Sequence, residues 1–353
     1  MKTLVTFCDM KSPDGITARL DSLISKWQPD YVISISISNK QYLRQTYVDN
    51  TLTEACSSAS YLKITMSLLR EWSFNSARLA DFDKAQLAIL KKSDEIFLHT
   101  ARVYNKIPSF YRSKISKVDL CDDLVFTYRV SSLYYAKRFN FFLAMVYMWE
   151  SFVEKKLILS LSNTKLSYIR APSRFLSFNY DVFPNIIPKP IISYDFPARE
   201  KLRYGIIGNF RTIANKEIIY EAIKFRNIEP SDIYLFGSNI ELVQKSFSGL
   251  NNVGPYKQLA DIQDQFDVGL CLVQTQGGIQ NKVLDYLCLG KIAVVSAVVQ
   301  DAFLEDDFYR EIVKSPLFVL DSEVSNSNLQ ELLNYKNISN NFDLINKMRF
   351  KFF

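Results

Sequence analysis

Short apolar runs alternate along most of the chain with stretches of helical spacing, and this alternation predicts an α/β fold built on parallel strands. Leu4 to Cys8 reads as a buried strand, followed by a loop with Pro13, Asp14 and Gly15 and a helix whose Ile16, Leu20, Leu23 and Ile24 share a face. Tyr31 to Ile37 alternates apolar residues with serine and forms the next strand. Helical spacing then runs from Ala55 to Arg70 and from Arg78 to Lys91, and Glu95 to Leu98 is a third strand that delivers His99 at its C-terminal end. Lys114 to Leu120 is the fourth strand. An aromatic-rich helix is predicted over Ser132 to Lys155, with strands at Leu157 to Leu161 and Phe175 to Phe178.

Residues 181 to 200 hold four prolines and little periodicity, which marks the boundary between two halves. The expected division is a first domain over 1–185, a linker over 186–200, a second domain over 201–335 and a tail over 336–353. Beyond the linker the alternation resumes with strands at Tyr204 to Ile207, Ile233 to Phe236, Val268 to Val273, Ile292 to Val295 and Leu317 to Leu320. Helices are expected at Lys216 to Phe225, Glu241 to Phe247, Gln258 to Gln265, Ile279 to Leu287, Asp301 to Val313 and Asn326 to Tyr335. Two doubly wound Rossmann-like domains would face each other across a cleft at their C-terminal strand edges.

Composition narrows the class. A chain of 353 residues, 48% hydrophobic and 23% charged, is long enough for two buried cores and is not disordered. Its net charge of +6 is spread rather than blocked, so nucleic acid is not an expected partner. The five cysteines form no CxxC pair and read as reduced core residues of a cytoplasmic protein. With His99 the only histidine, no metal site is expected. Phe139 to Trp149 is the longest apolar stretch and falls short of the roughly 20 residues that span a bilayer. The tail mixes Phe342, Phe350, Phe352 and Phe353 with Lys347, Arg349 and Lys351. It suits either an anionic membrane surface or a last helix lying back on the first domain.

The richest chemistry is in QGGIQNKVLDYLCLGKIAVV, residues 276–295. A strand precedes it, Gly277 and Gly278 open it, and helical spacing follows. The helix start from Ile279 through Gln280 and Asn281 points unpartnered backbone N–H groups outward, as an anion requires. Lys282 and Asp285 lie three residues apart and share a face, one cation and one carboxylate, as a phosphate next to a ribose would require. Upstream, Arg211 and Lys216 in GNFRTIANK are spaced to approach one diphosphate from the loop after the second domain's first strand. Ser238 and Tyr256 stand beside the next loops as candidates to flank a nucleobase. Asp119, Asp122 and Asp123 form an acidic cluster that reads as a helix-capping loop in preference to a metal site.

The segments GNFRTIANKEI, DIYLFGS, NNVGPYKQL, FDVGLCLV and GGIQNKVLDYLCLGKIAVVS, taken in order over residues 201–300, resemble the C-terminal domain of retaining GT-B glycosyltransferases of group 1, glycosyltransferase family 4. The resemblance implies a metal-independent, cofactor-free enzyme that uses a nucleoside diphosphate sugar as co-substrate and retains anomeric configuration. It assigns the diphosphate to Arg211 and Lys216 and the ribose hydroxyls to Asp285, which stands where the family has glutamate. In the first domain it assigns phosphate or acceptor approach to Gly15 and donor-sugar contact to His99. Gly277 stands where the family's first acidic residue would be, and Arg211 lies further from Gly208 than the pattern has it. The implied acceptor is a hydroxyl of a growing, lipid-linked bacterial surface polysaccharide such as O-antigen or capsule, with peripheral contact at the cytoplasmic face of the inner membrane. A non-catalytic GT-B subunit of a glycan assembly complex and a sugar-nucleotide epimerase remain the alternatives.

Overall fold

The computed structural model describes residues 1–350 except 12–14, 39–40, 75–78, 122–123, 138, 162–163, 169–179, 183, 185–186, 192–200, 211, 226 and 275–278. It divides into two compact units, Met1–Asn185 and Ile186–Phe353. Each is a doubly wound, Rossmann-like α/β unit. No helix among the described residues is long and apolar enough to cross a membrane.

In the first unit the chain forms β1 (Lys2–Thr6), α1 (Gly15–Trp27), β2 (Tyr31–Ser38), β3 (Gln41–Val48), β4 (Thr51–Ser58), α2 (Tyr61–Glu71), α3 (Lys84–Lys92) and β5 (Glu95–His99). It continues with β6 (Ile115–Asp119), α4 (Leu124–Lys137), α5 (Phe141–Ser160), β7 (Lys165–Tyr168) and β8 (Tyr180–Val182). Sheet order is β4-β3-β2-β1-β5-β6-β7-β8, parallel from β2 to β8 and antiparallel over β2, β3 and β4. Strands β1 and β5 are apolar because both faces of the sheet are covered: Leu4, Val5, Ile96, Phe97 and Leu98 are wholly buried.

Several first-unit elements differ from the sequence expectation. An antiparallel pair, β3–β4, stands before α2, and β4 takes residues 55–58 of the helix expected from Ala55, which begins at Tyr61. β3 buries only Leu43 and Gln45 and β4 is exposed along nearly its whole length, so the pair lacks a core-forming run, and Asp49 and Asn50 both take positive φ (47° and 62°) in the two-residue turn. Cys56 lies exposed on β4 and is thus not a core residue. The long aromatic helix is two helices, interrupted where Phe139 takes φ 58° and Asn140 caps α5 by accepting from the Leu143 N–H. The strand expected at Leu157 to Leu161 is the end of α5, whose inner face there is Ile158. The strand expected at residues 175–178 lies outside the described residues.

The second unit runs β9 (Tyr204–Asn209), α6 (Ile213–Phe225), β10 (Ile233–Ser238), α7 (Glu241–Gln244), β11 (Asn251–Gly254), β12 (Val268–Cys271), α8 (Asn281–Cys288), β13 (Ile292–Val295), α9 (Ala297–Leu304), β14 (Phe318–Leu320), α10 (Asn326–Leu332) and α11 (Tyr335–Phe350). Its six strands are all parallel in the order β11-β10-β9-β12-β13-β14, the order in which chain direction along the sheet reverses between β9 and β12. Strand β11, a polar edge strand with Asn252 and Val253 exposed, has no counterpart in the sequence expectation.

Of the C-terminal tail, residues 351–353, with Phe352 and Phe353, and the Phe350 side chain lie outside the described residues; the rest belongs to α11. Phe342, Ile345 and Met348 of α11 are buried, and Asn341 Nδ2 donates to the Leu287 carbonyl of α8 at 2.7 Å. The contacts of α11 with α8 make it a layer of the second unit. The described start of the linker is docked in the same unit: Ile191 N donates to the Cys288 carbonyl at 2.8 Å, and Arg349 Nε donates to the Ile187 carbonyl at 3.2 Å.

Candidate active site

Where a doubly wound sheet reverses direction, the two central strands send their following helices to opposite sides and leave a crevice at their C-terminal ends. In the second unit this point lies between β9 and β12. The two strands pair only at Val268 with Tyr204 and Gly269 with Gly205, then part. The Tyr286 hydroxyl fills the gap, accepting from Ile207 N at 3.1 Å and donating to the Leu270 carbonyl at 3.2 Å. A Cβ at residue 269 would run into the Tyr286 ring, so Gly269 makes room for that wedge.

Beyond the wedge, α8 turns one narrow face to the crevice. Val283, Leu284, Tyr286, Leu287 and Cys288 are buried in the unit, which leaves Asn281, Lys282 and Asp285 as the half-buried face. The Lys282 ammonium donates to Asn215 Oδ1 on α6, so one side chain spans the switch point. Asn215 is itself fixed, its Nδ2 donating to the Asn209 carbonyl at 2.9 Å. That approach depends on Gly208, whose φ is 149° and where a Cβ would collide with the Asn215 amide. Glu217, buried on α6, accepts from the Gln274 N–H at 3.3 Å and ties the same helix to the loop after β12.

The electrostatics are those of a cation and an acid held close in a poor solvent. Burial lowers the Lys282 ammonium from its ordinary value, opposed by Cys271 and Asp285. Burial pushes the Asp285 carboxyl up to about 7, with Lys282 pulling it back. Burial, reinforced by Asp285, raises the Tyr256 phenol, so Tyr256 faces Asp285 as a neutral hydrogen-bonding group. The Cys271 thiol at the end of β12 is pushed up to about 11 by burial and is not a thiolate.

The structure therefore gathers Lys282, Asp285 and Tyr256 at one sheet edge. Lys216 stands exposed in the first turn of α6 at this edge, and Ser238 ends β10, exposed, next to the Asn239 that donates from Nδ2 to Asn209 Oδ1 at 2.9 Å. Ile279 and Gln280 are buried and precede α8, which begins at Asn281; Gln280 makes no side-chain cap bond to it. Arg211, Gly277 and Gly278 lie outside the described residues. Asn215 and Glu217 were missed by sequence reasoning. Their signal was present in the run NKE at the start of α6, where Asn215 and Glu217 flank Lys216.

His99 and Gly15 belong to the first unit, at its own switch point between β1 and β5. Gly15 opens α1. His99 is fully buried, its Nδ1 2.9 Å from Thr6 Oγ1 and its Nε2 without a hydrogen-bond partner among the described residues. Burial lowers the imidazole to about 4, which keeps it neutral; Asp119 opposes that shift and Arg19 adds to it. Beside it Arg19 Nε donates to Asp119 Oδ2 at 3.0 Å, and Arg19 Nη2 binds the other oxygen. Burial alone would raise the Asp119 carboxyl, but the guanidinium, with smaller help from His99 and Cys121, more than reverses it. His99, Asp119 and Cys121 bring ligand-type atoms within 4.8 Å of one another, yet the guanidinium already holds both carboxylate oxygens and opposes a metal cation there. Asp122 and Asp123 lie outside the described residues.

No protein-family model matches the chain, and no curated protein matches it. Among solved structures, the glycotransferase of kitacinnamycin aligns over 99% of this chain and 95% of that one, at 11% identity and a TM-score of 0.41. A likeness of that size assigns neither activity nor residues.

Proposed function

We propose that the second unit binds a nucleoside diphosphate sugar at the β9/β12 edge and that the protein transfers the sugar to an acceptor hydroxyl. The observation that carries this reading is Lys282, held by Asn215 across the switch point with Asp285 one helical turn further on. A cation set at a switch point is placed for phosphate, and a carboxyl beside it accepts hydrogen bonds from ribose hydroxyls. Lys282, Lys216 and Arg211 stabilise the negative charge that grows on the departing diphosphate, together with the backbone N–H groups at the starts of α6 and α8. The acceptor proton passes to the departing phosphate, so no side-chain nucleophile is required and the anomeric configuration is retained. In this reading the enzyme uses no metal ion. Tyr256 and Ser238 flank the base, His99 lies towards the donor sugar and Gly15 towards the phosphate or acceptor, and the acceptor is a lipid-linked surface glycan at the cytoplasmic face of the membrane.

Thermal melting against UDP, GDP, ADP, dTDP and CMP tests the donor site. One nucleoside diphosphate at a hundredfold excess over its Kd adds about 2.7 kcal/mol of stability and raises the melting temperature by several degrees. A flat response to all five would remove the donor-site reading. A melting shift without release of diphosphate in the presence of glycan acceptors would identify a binding subunit in place of an enzyme.

A further inference from the structure

Helix α5 is turned inside out. Its polar residues face the unit: Glu150 accepts from Ser73 Oγ at 2.9 Å and from Phe74 N at 2.7 Å, Ser151 Oγ donates to the Val125 carbonyl at 3.0 Å, and Glu154 accepts from Arg102 Nε at 3.4 Å. Its large apolar residues face solvent: Phe141, Phe142, Met145, Met148, Trp149 and Phe152 are all exposed, Phe142 to 68%. Those positions recur at helical spacing and so form one continuous stripe. Helix α2 carries a second stripe, with Leu62, Met66 and Leu69 exposed at one, five and eight residues into the helix. The stripes join where the Trp72 and Trp149 rings lie 6.3 Å apart and Trp149 Nε1 donates to the Trp72 carbonyl at 2.7 Å. Such an area exceeds what a soluble surface carries by chance, and a helix that hides its carboxylates to show its aromatics is built to have that face covered.

Charge identifies the cover. The acidic residues of α2, α4 and α5 are Glu71, Glu150 and Glu154, and none has its side chain exposed to solvent. The exposed charges on these helices are cationic: Arg70, Lys137 and Lys156. Arg70 reaches Glu71 at 3.1 Å and the exposed Asp81 of the neighbouring loop at 3.8 Å. Aromatic and aliphatic side chains bordered by lysine and arginine, with no outward carboxylate on the three helices themselves, suit the headgroup region of an anionic bilayer. A second copy of the chain meeting the same face would set these cations against each other. We propose that α2 and α5 form a bilayer-docking face that seats the first unit on an anionic lipid surface, lying on it and not crossing it. This placement does not depend on the donor-site reading, and it moves the expected membrane contact from the C-terminal tail to the first unit.

Flotation of the full chain tests it, using vesicles of phosphatidylcholine alone or with about 30 mol% phosphatidylglycerol. The chain floats with the anionic vesicles and less with the neutral ones, and emission from the exposed Trp72 and Trp149 shifts to the blue on binding. The triple substitution Phe141→Ser, Met145→Ser, Phe152→Ser lowers the bound fraction at least about tenfold. Lys156→Glu lowers it less and only on anionic vesicles. Because these side chains are exposed, far-UV circular dichroism and nucleotide-dependent melting of the variants stay as in the parent protein; should the triple variant misfold, Leu62→Ser with Met66→Ser serves in its place. A chain that stays in the buffer with both vesicle types overturns the proposal. So does a dimer by light scattering that the triple variant dissolves, which would show that a second copy covers the face.

Discussion

At the switch point of the first sheet, between β1 and β5, an arginine and an aspartate are sealed inside and satisfy each other beside a buried histidine; at that of the second, between β9 and β12, a lysine and an aspartate keep an edge in solvent. Topology offers both places equally to a ligand. What separates them is where the counter-charge comes from. Arg19 and Asp119 neutralise each other at 1% and 0% exposure, whereas Lys282 is steadied by the neutral amide of Asn215 and keeps its charge available for something else. A buried, matched pair is a structural element; the donor-site proposal takes the cation anchored by an amide as its binding element.

The largest expected effect lies in the first unit. Asp119→Ala leaves Arg19 charged and unpaired in the interior and costs about 3–5 kcal/mol. Chemical denaturation measures it, and nucleotide affinity of the folded fraction stays unchanged. Lys282→Ala should behave the opposite way: loss of a charge-assisted contact of about 1.5–3 kcal/mol weakens nucleoside diphosphate binding roughly 10- to 100-fold, with little loss of melting temperature. If Lys282→Ala destabilised the protein as Asp119→Ala does, the distinction between the two sites would collapse.

The two sites also differ in the pH window in which they act on stability. The Asp285 carboxyl lies above its unfolded value, so the folded chain prefers it protonated; that preference is fully present below the unfolded value and is lost as pH rises through about 7. Asp285→Asn therefore melts higher than the parent at pH 8, and the gap narrows towards pH 5. Ribose recognition needs the ionised form, so parental nucleotide binding strengthens over the same rise while that of Asp285→Asn stays flat. His99 lies below its unfolded value, so the unfolded chain takes up a proton first and stability falls as pH drops through 6.5 towards about 4. His99→Gln removes that part of the acid sensitivity, read from melting curves across the range. The smallest effect belongs to Asn215→Ala, which frees Lys282 without removing it and weakens nucleotide binding by about 3- to 10-fold.

Much of this was legible in the residues, for identifiable reasons. Strands β1, β5, β9, β12 and β13 are apolar on both faces, so their runs stood out. The Lys282 and Asp285 pair was visible because α8 is short and its apolar positions leave a single polar face. Strands β3 and β4 were not legible, because polar edge strands have no core-forming run; the Asp49–Asn50 turn was the available cue. The family resemblance gives His99 a donor-sugar contact because it stands after a middle strand, but place does not report depth, and the structure shows it fully buried. Nor could spacing along the chain show that Asn215 would reach Lys282, since that contact requires the bare Cα of Gly208 and two side chains, 67 residues apart, meeting across the switch point. The Gly205 and Gly269 positions carried no such signal either: their function is to let the Phe266 and Tyr286 rings lie against the strands.

The most direct test of the central claim is calorimetric titration of the parent chain, Lys282→Ala and Asp119→Asn with the nucleoside diphosphate that gives the largest melting shift. The account predicts one site per chain in the parent, the same affinity in the folded fraction of Asp119→Asn, and a loss of roughly 10- to 100-fold in Lys282→Ala. Binding that is indifferent to Lys282, or that vanishes with the Asp119 change while Lys282→Ala still binds, would contradict it.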